Sequence, residues 1–113
     1  ALMLDYRDYV AEGTGANIFF IKGNDIHTPI ADCFLNGITR QTVIEMVKNQ
    51  GFNLIEKHIL PNEISNYNES FLTGTAAEIT PIKSIDNVRY VTGKNTLSFQ
   101  LMNDFTNLVN ATT

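Results

Sequence analysis

Hydrophobic and polar positions alternate in short blocks along the first thirty residues. Apolar residues cluster at 2–4, 10 and 18–21, and two polar segments separate the clusters, Asp5–Asp8 and Lys22–Asp25. Turn residues between short β-branched and aromatic runs are typical of consecutive antiparallel hairpins. Pro29 cannot donate a hydrogen bond to a sheet, so we expect it to close a strand over Asp25–Thr28.

The middle of the chain changes to helical spacing. Thr39 is a candidate N-cap. Ile38 lies directly before it and Val43 lies four positions after it, which is the spacing of a hydrophobic staple. One apolar face follows, and Gly51 provides a stop, so a helix is predicted from about 39 to 50. The predicted apolar face holds Val43, Ile44, Met46 and Val47, and the predicted polar side holds Arg40, Gln41, Glu45 and Lys48.

The rest of the chain predicts further strands and one more helix. Apolar residues recur at helical spacing near the C-terminus, which predicts a helix from about 96 to 109. Pro61–Ile64 is expected to form a single helical turn. Strands are predicted at Phe52–Leu60, Glu69–Thr73 and Glu78–Ile85. Strands interrupted by two main helices indicate an α+β fold, and 1–113 is expected to be a single domain.

Composition narrows the classes of function. A chain of 113 residues that is 43% hydrophobic can bury one ordinary core. A net charge of -4, with basic residues scattered singly, disfavours binding to nucleic acid. The apolar stretch from Val10 to Ile21 contains Glu12 and two glycines and is too short to cross a membrane, so no membrane association is expected.

The cysteine and histidine content bears on the expected location and on metal binding. The single cysteine, Cys33, excludes an internal disulfide and suits a reducing compartment, so a cytoplasmic location is expected. His27 and His58 have no partner at the spacing of metal ligands, so no metal site is predicted.

Three glycine-containing turns carry the candidate chemistry: Glu12–Gly15, Gly37–Arg40 and Thr73–Glu78. The carboxylate of Glu12 could face a pyridinium nitrogen and hold its proton through a charge-assisted hydrogen bond. The alternative is a solvated carboxylate on a hairpin bulge.

The other two turns could bind an anion through backbone N–H groups. Gly37, Ile38 and Thr39 open the predicted helix, where the free N–H groups and the dipole favour negative charge. Gly74, Thr75 and Ala76 could form a second concavity of N–H groups. An ordinary capped helix start and a tight turn between strands are the respective alternatives.

In this order, the three turns resemble the pyridoxal 5′-phosphate site of the class IV (fold-type IV) aminotransferases, most closely the branched-chain amino acid aminotransferases. The most specific stretches are 32–44 and 71–82. The resemblance implies mostly antiparallel strands in a pseudo-barrel. It also implies amino transfer between leucine, isoleucine or valine and 2-oxoglutarate, with 2-oxo acids and amino acids as the small-molecule substrates.

The resemblance also implies a role for each matched residue. Glu12 would face the ring nitrogen and Leu35 would pack against the ring. The cofactor phosphate would contact Gly37, Ile38, Thr39 and the hydroxyl of Thr75. The backbone of Thr75 and Ala76 would receive the substrate carboxylate. Many members of the family carry a second glutamate where this chain has Ala16.

The family's Schiff-base lysine lies some tens of residues upstream of the glutamate matched by Glu12, and no lysine in this chain matches it, so no catalytic residue is assigned. We therefore expect this chain to be the C-terminal cofactor-binding portion of a larger aminotransferase and to be inactive alone. Its expected partners are the missing N-terminal domain and a second subunit in a homodimer or larger homo-oligomer. Other members of fold-type IV, namely D-amino acid aminotransferases and aminodeoxychorismate lyase, remain alternatives. A stand-alone, non-catalytic anion-binding or interaction domain is the alternative from another class.

Overall fold

The computed structural model describes residues 2–4, 10–13, 16–30, 38–74, 79–85 and 87–111. The strands are β1 (Leu2–Leu4), β2 (Val10–Gly13), β3 (Ala16–Lys22), β4 (Asp25–Pro29), β5 (Asn53–Lys57), β6 (Glu69–Gly74), β7 (Ile79–Pro81), β8 (Ser84–Ile85) and β9 (Val88–Arg89). Two α-helices, α1 (Ile38–Asn49) and α2 (Leu97–Ala111), and a 3₁₀ helix at Pro61–Asn66 complete the described elements. The predicted α+β class and both main helices are confirmed.

Strand β3 lies at the centre of a seven-stranded sheet. One edge of β3 pairs with β6 over six residues, from Ala16 opposite Gly74 to Ile21 opposite Glu69. The other edge is shared, because β2 pairs there at Ala16 and β4 pairs there from Phe20 to Lys22. Within the described residues the sheet does not close into a barrel, since β7 pairs with β6 while β1 and β5 end the other side. The resemblance implies a pseudo-barrel, but the described strands form an open sheet.

Most neighbouring strands are antiparallel, as predicted, but β4 and β5 are parallel, from Asp25 opposite Asn53 to Pro29 opposite Lys57. Parallel neighbours need a long crossover connection, and α1 lies in the chain between them.

The predicted strand over Glu78–Ile85 is also divided in two. β7 belongs to the main sheet, whereas β8 pairs with β9 in a separate hairpin. The division follows the hydrogen bonds: the N–H of Ile82 donates to the carbonyl of Ser70, and the carbonyl of the next residue, Lys83, accepts from the N–H of Tyr90.

Helix α1 ends in the way that Gly51 predicts. Gly51 has a left-handed φ of 87°. Its N–H donates to the carbonyl of Lys48, and the N–H of Phe52 donates to the carbonyl of Val47, each at 3.1 Å. These two bonds define a Schellman motif, and they return the chain to the sheet at β5.

The two α-helices cover one face of the sheet. Phe19 of β3 and Phe71 of β6 lie opposite each other on this face and stack with their ring centroids 4.8 Å apart. They pack with buried side chains from both helices, including Val43, Met46, Val47, Leu101 and Phe105. Arg40 was predicted on the polar side of α1, and this prediction is wrong: its side chain is 1% exposed.

The opposite face of the sheet carries a second apolar layer. It contains Ile18 and Phe20 of β3 together with Ile59, Ile64, Tyr67 and Tyr90. The hydroxyl of Tyr90 donates to the carbonyl of Ile64 at 2.7 Å. Burial raises the pKa of Tyr90 to about 12, so the phenol stays a donor through the neutral range.

The N-terminus of α2 is held by groups from two elements. The hydroxyl of Thr96 accepts from the N–H of Phe99 at 3.2 Å, which is an N-cap. Glu69 of β6 accepts from the N–H of Ser98 at 2.7 Å and from the N–H of Leu97 at 3.2 Å. It also accepts from the Ser98 hydroxyl at 2.7 Å. A carboxylate at this position offsets the helix dipole and ties α2 to the sheet.

We predict that Glu69→Gln lowers the free energy of unfolding by about 1–2 kcal/mol, because the amide removes the charge and one of the two acceptor oxygens. Urea denaturation at neutral pH measures the change. Glu45→Gln, at an exposed position on α1, is the matched control and should change the same quantity by less than about 0.5 kcal/mol. Equal effects in the two variants would contradict the capping role.

His27 of β4 joins the second apolar layer. Its ring meets Tyr67 edge-on, with centroids 5.0 Å apart. Its Nδ1 atom is buried and has no hydrogen-bond partner among the residues that the structure describes. Burial is the main cause that lowers the pKa of His27 below 6.5, and the charges of Lys57 and Lys22 lower it further, against the opposing effect of Asp25 and Glu63.

The lowered pKa gives the stability a predictable pH dependence. The unfolded chain binds a proton on His27 more readily than the folded chain, so the His27 contribution is fully present above pH 6.5 and is lost as the pH falls through the lowered folded value. His27→Gln should remove this part of the pH dependence. Urea denaturation at about pH 8 and about pH 5.5 compares the two proteins. An identical fall in unfolding free energy for both would overturn the assignment to His27.

Candidate functional site

At one end of the sheet lie the described residues that flank two of the glycine-containing turns. Strand β2 ends at Gly13, which pairs with Ala16 at the start of β3. Ala16 also pairs with Gly74, the last residue of β6. Glu12 and Gly74 therefore lie near the same end of two strands that flank β3, and we call this end the Ala16 end.

The start of α1 is brought to the same end. Because β4 runs antiparallel to β3, its last residues lie toward the Ala16 end, where the Thr28 hydroxyl donates to the carbonyl of Ile18 at 2.8 Å. A guanidinium N–H of Arg40, in the first turn of α1, donates to the carbonyl of Pro29 at 2.8 Å. The first turn of α1 is thus tied to the last residue of β4.

The predicted site residues are described to different degrees. Glu12 lies in β2 opposite Met3. The helix begins at Ile38, so Thr39 is its second residue rather than the predicted N-cap, and its side chain is half-buried. Outside the described parts lie the side chains of Glu12 and Ile38 and the whole of Leu35, Gly37, Thr75 and Ala76. The roles of all seven stay predictions.

The described charges in the first turn of α1 favour an anion. The N-terminus of a helix carries about half a positive charge. The first turn of α1 contains no acidic residue and holds the buried cation of Arg40. The guanidinium also contacts Oε1 of Glu56 at 3.1 Å, but the Glu56 side chain is 47% exposed, so solvent screens part of its charge.

Arg40 is the residue of this region that the sequence reasoning misplaced. A signal for its burial was present, because positions 40, 43 and 47 share one face of a helix, and Val43 and Val47 are buried. The residue type argued against burial, since arginine is rarely buried without partners.

Thr73 adds a polar group that the sequence reasoning did not single out. Its hydroxyl is buried without a hydrogen-bond partner among the described residues, and it lies one residue before Gly74. Thr73 pairs with Asn17 of β3 and with Ile79 of β7. A buried hydroxyl without a protein partner can bond to water or a ligand.

The lysines are relevant because the cofactor that the resemblance implies, pyridoxal phosphate, requires an amine. Lys22 and Lys48 lie at the opposite end of the sheet, at the β3–β4 turn and in the last turn of α1. Lys83 and Lys94 are exposed outside the main sheet. Lys57, at the end of β5, is bonded to Glu63 at 2.9 Å, and this hydrogen bond raises the pKa of its ammonium group. A raised pKa is the reverse of what a nucleophilic amine requires.

The described part of the chain lacks two further features. It holds no group of three or more His, Cys, Asp and Glu side chains arranged to bind a metal ion. None of its helices combines the length and the hydropathy that a membrane span requires.

Comparison with known proteins gives a consistent pattern. The family model described as amino-transferase class IV matches residues 1–85. A probable branched-chain-amino-acid aminotransferase of Rickettsia felis is 52% identical over 86 residues, which are 76% of this chain and 30% of that protein.

Solved structures agree with this match. The branched-chain aminotransferase of Thermoproteus uzoniensis, solved with norvaline, superimposes with a TM-score of 0.90 at 38% identity, over 98% of this chain and 37% of that one. A T.th. branched-chain amino acid aminotransferase, complexed with N-(5′-phosphopyridoxyl)-L-glutamate, gives 0.90 at 33% identity, over 98% and 38%. The chain thus spans about a third of the length of the relatives it matches.

Proposed function

The chain belongs to the class IV aminotransferase family, and on this premise we propose that it forms the phosphate-binding and ring-binding part of a pyridoxal 5′-phosphate site in a branched-chain amino acid transaminase. The observation that carries the proposal is the meeting, at the Ala16 end, of Gly13, Gly74 and the first turn of α1. These elements flank the three turns that the sequence analysis selected.

The residues present fit a phosphorylated ligand. The start of α1 supplies a helix dipole with a buried cation beside it and no acidic residue in its first turn. The start of α2 is different, because the carboxylate of Glu69 already binds its N–H groups. The buried hydroxyl of Thr73, which has no partner within the described ranges, is a further polar group at the Ala16 end.

Each site residue has a distinct part in this proposal. The backbone N–H groups of Ile38 and Thr39, and the Thr75 hydroxyl, bind the phosphate dianion. Gly37 allows a close approach of the backbone, and Leu35 packs against the ring. The N–H groups at Thr75 and Ala76 orient the substrate carboxylate.

Glu12 has the electronic role. Pyridoxal phosphate, when bound, supplies an electron sink for the carbanion formed at the substrate's α-carbon. A carboxylate beside the pyridine nitrogen keeps a proton on that atom, because the charge-assisted hydrogen bond favours the protonated ring.

The covalent amine comes, in this proposal, from outside these 113 residues. The hydrogen bond and raised pKa of Lys57 argue against Lys57 as this amine. Lys22 and Lys48 lie at the opposite end of the sheet, and Lys83 and Lys94 lie outside the main sheet. The proposed substrates are leucine, isoleucine or valine with 2-oxoglutarate, supported by the names of the matched relatives and by the phosphopyridoxyl-glutamate in the T.th. structure. A second subunit in a homo-oligomer is proposed as a further partner.

We predict that Glu12→Gln, in the complete protein that carries this chain, lowers the turnover of leucine with 2-oxoglutarate by about 10- to 100-fold. A hydrogen bond to a charged group contributes about 1.5–3 kcal/mol, and each 1.4 kcal/mol is a factor of about ten in rate. The affinity for pyridoxal phosphate should change less, since the phosphate donors remain.

Glu45→Gln, on the exposed face of α1, serves as the control and should retain wild-type turnover. Unchanged turnover in Glu12→Gln would remove the role given to Glu12. A wild-type protein that uses D-alanine but not leucine would favour a D-amino acid aminotransferase instead.

Phosphate binding can be followed in the chain itself. Titration with inorganic phosphate should shift the amide resonances of Ile38 and Thr39, and those of Thr75 and Ala76, with a dissociation constant near the millimolar level, about 4 kcal/mol of binding. The amides of Lys48 and Asn49, at the other end of the same helix, are the internal reference. A larger response at that reference end than at Ile38 and Thr39 would contradict the proposed cradle.

A further inference from the structure

Two effects oppose a buried cation at the position of Arg40, and its hydrogen bonds to Pro29 and Glu56 offset part of them. A buried guanidinium loses its hydration, which costs several kcal/mol unless its partners compensate. A cation in the first turn of a helix also opposes the helix dipole, which favours negative charge there. Both effects act on Arg40, which is 1% exposed and lies in the first turn of α1.

We propose that Arg40 is a positioning residue for the cofactor phosphate, with its charge raising the affinity of the α1 N-terminus for an anion. The inference rests on the proposed function. A phosphate dianion at the helix start would be attracted by both the dipole and the guanidinium, so the charge of Arg40, which is costly in the free chain, would favour the complex.

The hydrogen bonds of Arg40 explain how it positions the helix. The guanidinium binds the carbonyl of Pro29 at 2.8 Å and the carboxylate of Glu56 at 3.1 Å. Pro29 ends β4, and Glu56 lies next to the end of the parallel strand β5. One side chain therefore ties the first turn of α1 to two neighbouring strands, which an apolar side chain of similar size could not do.

Glu56 also affects the charge at the start of α1. Its carboxylate neutralises part of the Arg40 charge, while nearly half of the Glu56 side chain stays in solvent. Removing the carboxylate charge should therefore leave more positive potential at the helix start and strengthen anion binding. A purely structural pair would give the opposite result, since losing either partner would loosen the helix.

The test compares ligands with and without the phosphate. Dissociation constants for pyridoxal phosphate and for pyridoxal are measured in the complete protein that carries this chain, by absorbance or fluorescence titration. The ratio of the two affinities isolates the contribution of the phosphate. The variants are Arg40→Met, Arg40→Lys and Glu56→Gln, with Lys48→Met as a control that removes an exposed positive charge at the far end of α1.

We expect Arg40→Met to lower the affinity ratio by roughly tenfold, and Arg40→Lys to retain most of it, because the cation persists. Glu56→Gln should raise the ratio by roughly two- to threefold. Lys48→Met should leave the ratio unchanged.

An unchanged ratio in Arg40→Met would overturn the inference and leave the proposed function standing. A lowered ratio in Glu56→Gln would also overturn it, and this variant keeps the test decisive if Arg40→Met fails to fold. A wild-type protein that binds pyridoxal as tightly as pyridoxal phosphate would instead overturn the proposed function and the inference together.

Discussion

Strand β3 is hydrogen-bonded along both edges and buried on both faces, and the other layers take their positions from it. Its central residues Ile18, Phe19, Phe20 and Ile21 are all nearly inaccessible to solvent. Phe19 and Ile21 contact the helical layer, while Ile18 and Phe20 contact the layer of Tyr67 and Tyr90. A one-residue change of register would exchange the two faces, so the burial of both layers holds the register of β3 against β6.

That register also determines the candidate site. The pairing of Ala16 with both Gly13 and Gly74 brings the ends of β2 and β6 to one place, although Gly13 and Gly74 are 61 positions apart in the chain. Backbone groups at strand ends and at a helix start can bind a phosphate without a charged side chain of their own. A site of this kind depends on the accuracy of the scaffold, because its donors belong to the main chain.

The two helix N-termini show how the same physical feature serves different purposes. At α2 the carboxylate of Glu69 accepts hydrogen bonds from the helix N-terminus and offsets the helix dipole. This interaction attaches the helix to β6. At α1 the chain places a buried arginine and no acidic residue in the first turn. A protein group satisfies the first terminus, whereas we propose that a ligand satisfies the second.

The sequence by itself determined the element types, the Gly51 helix end, the antiparallel hairpins and the resemblance to class IV aminotransferases, because each depends on neighbouring residues or on a contiguous motif. It also selected turns whose flanks the fold brings together. Only the tertiary structure decided the parallel pairing of β4 with β5, the division of the Glu78–Ile85 strand and the burial of Arg40. These depend on partners distant in the chain: Arg40 is buried because Pro29 and Glu56 supply its hydrogen bonds, and no local pattern around position 40 contains either of them.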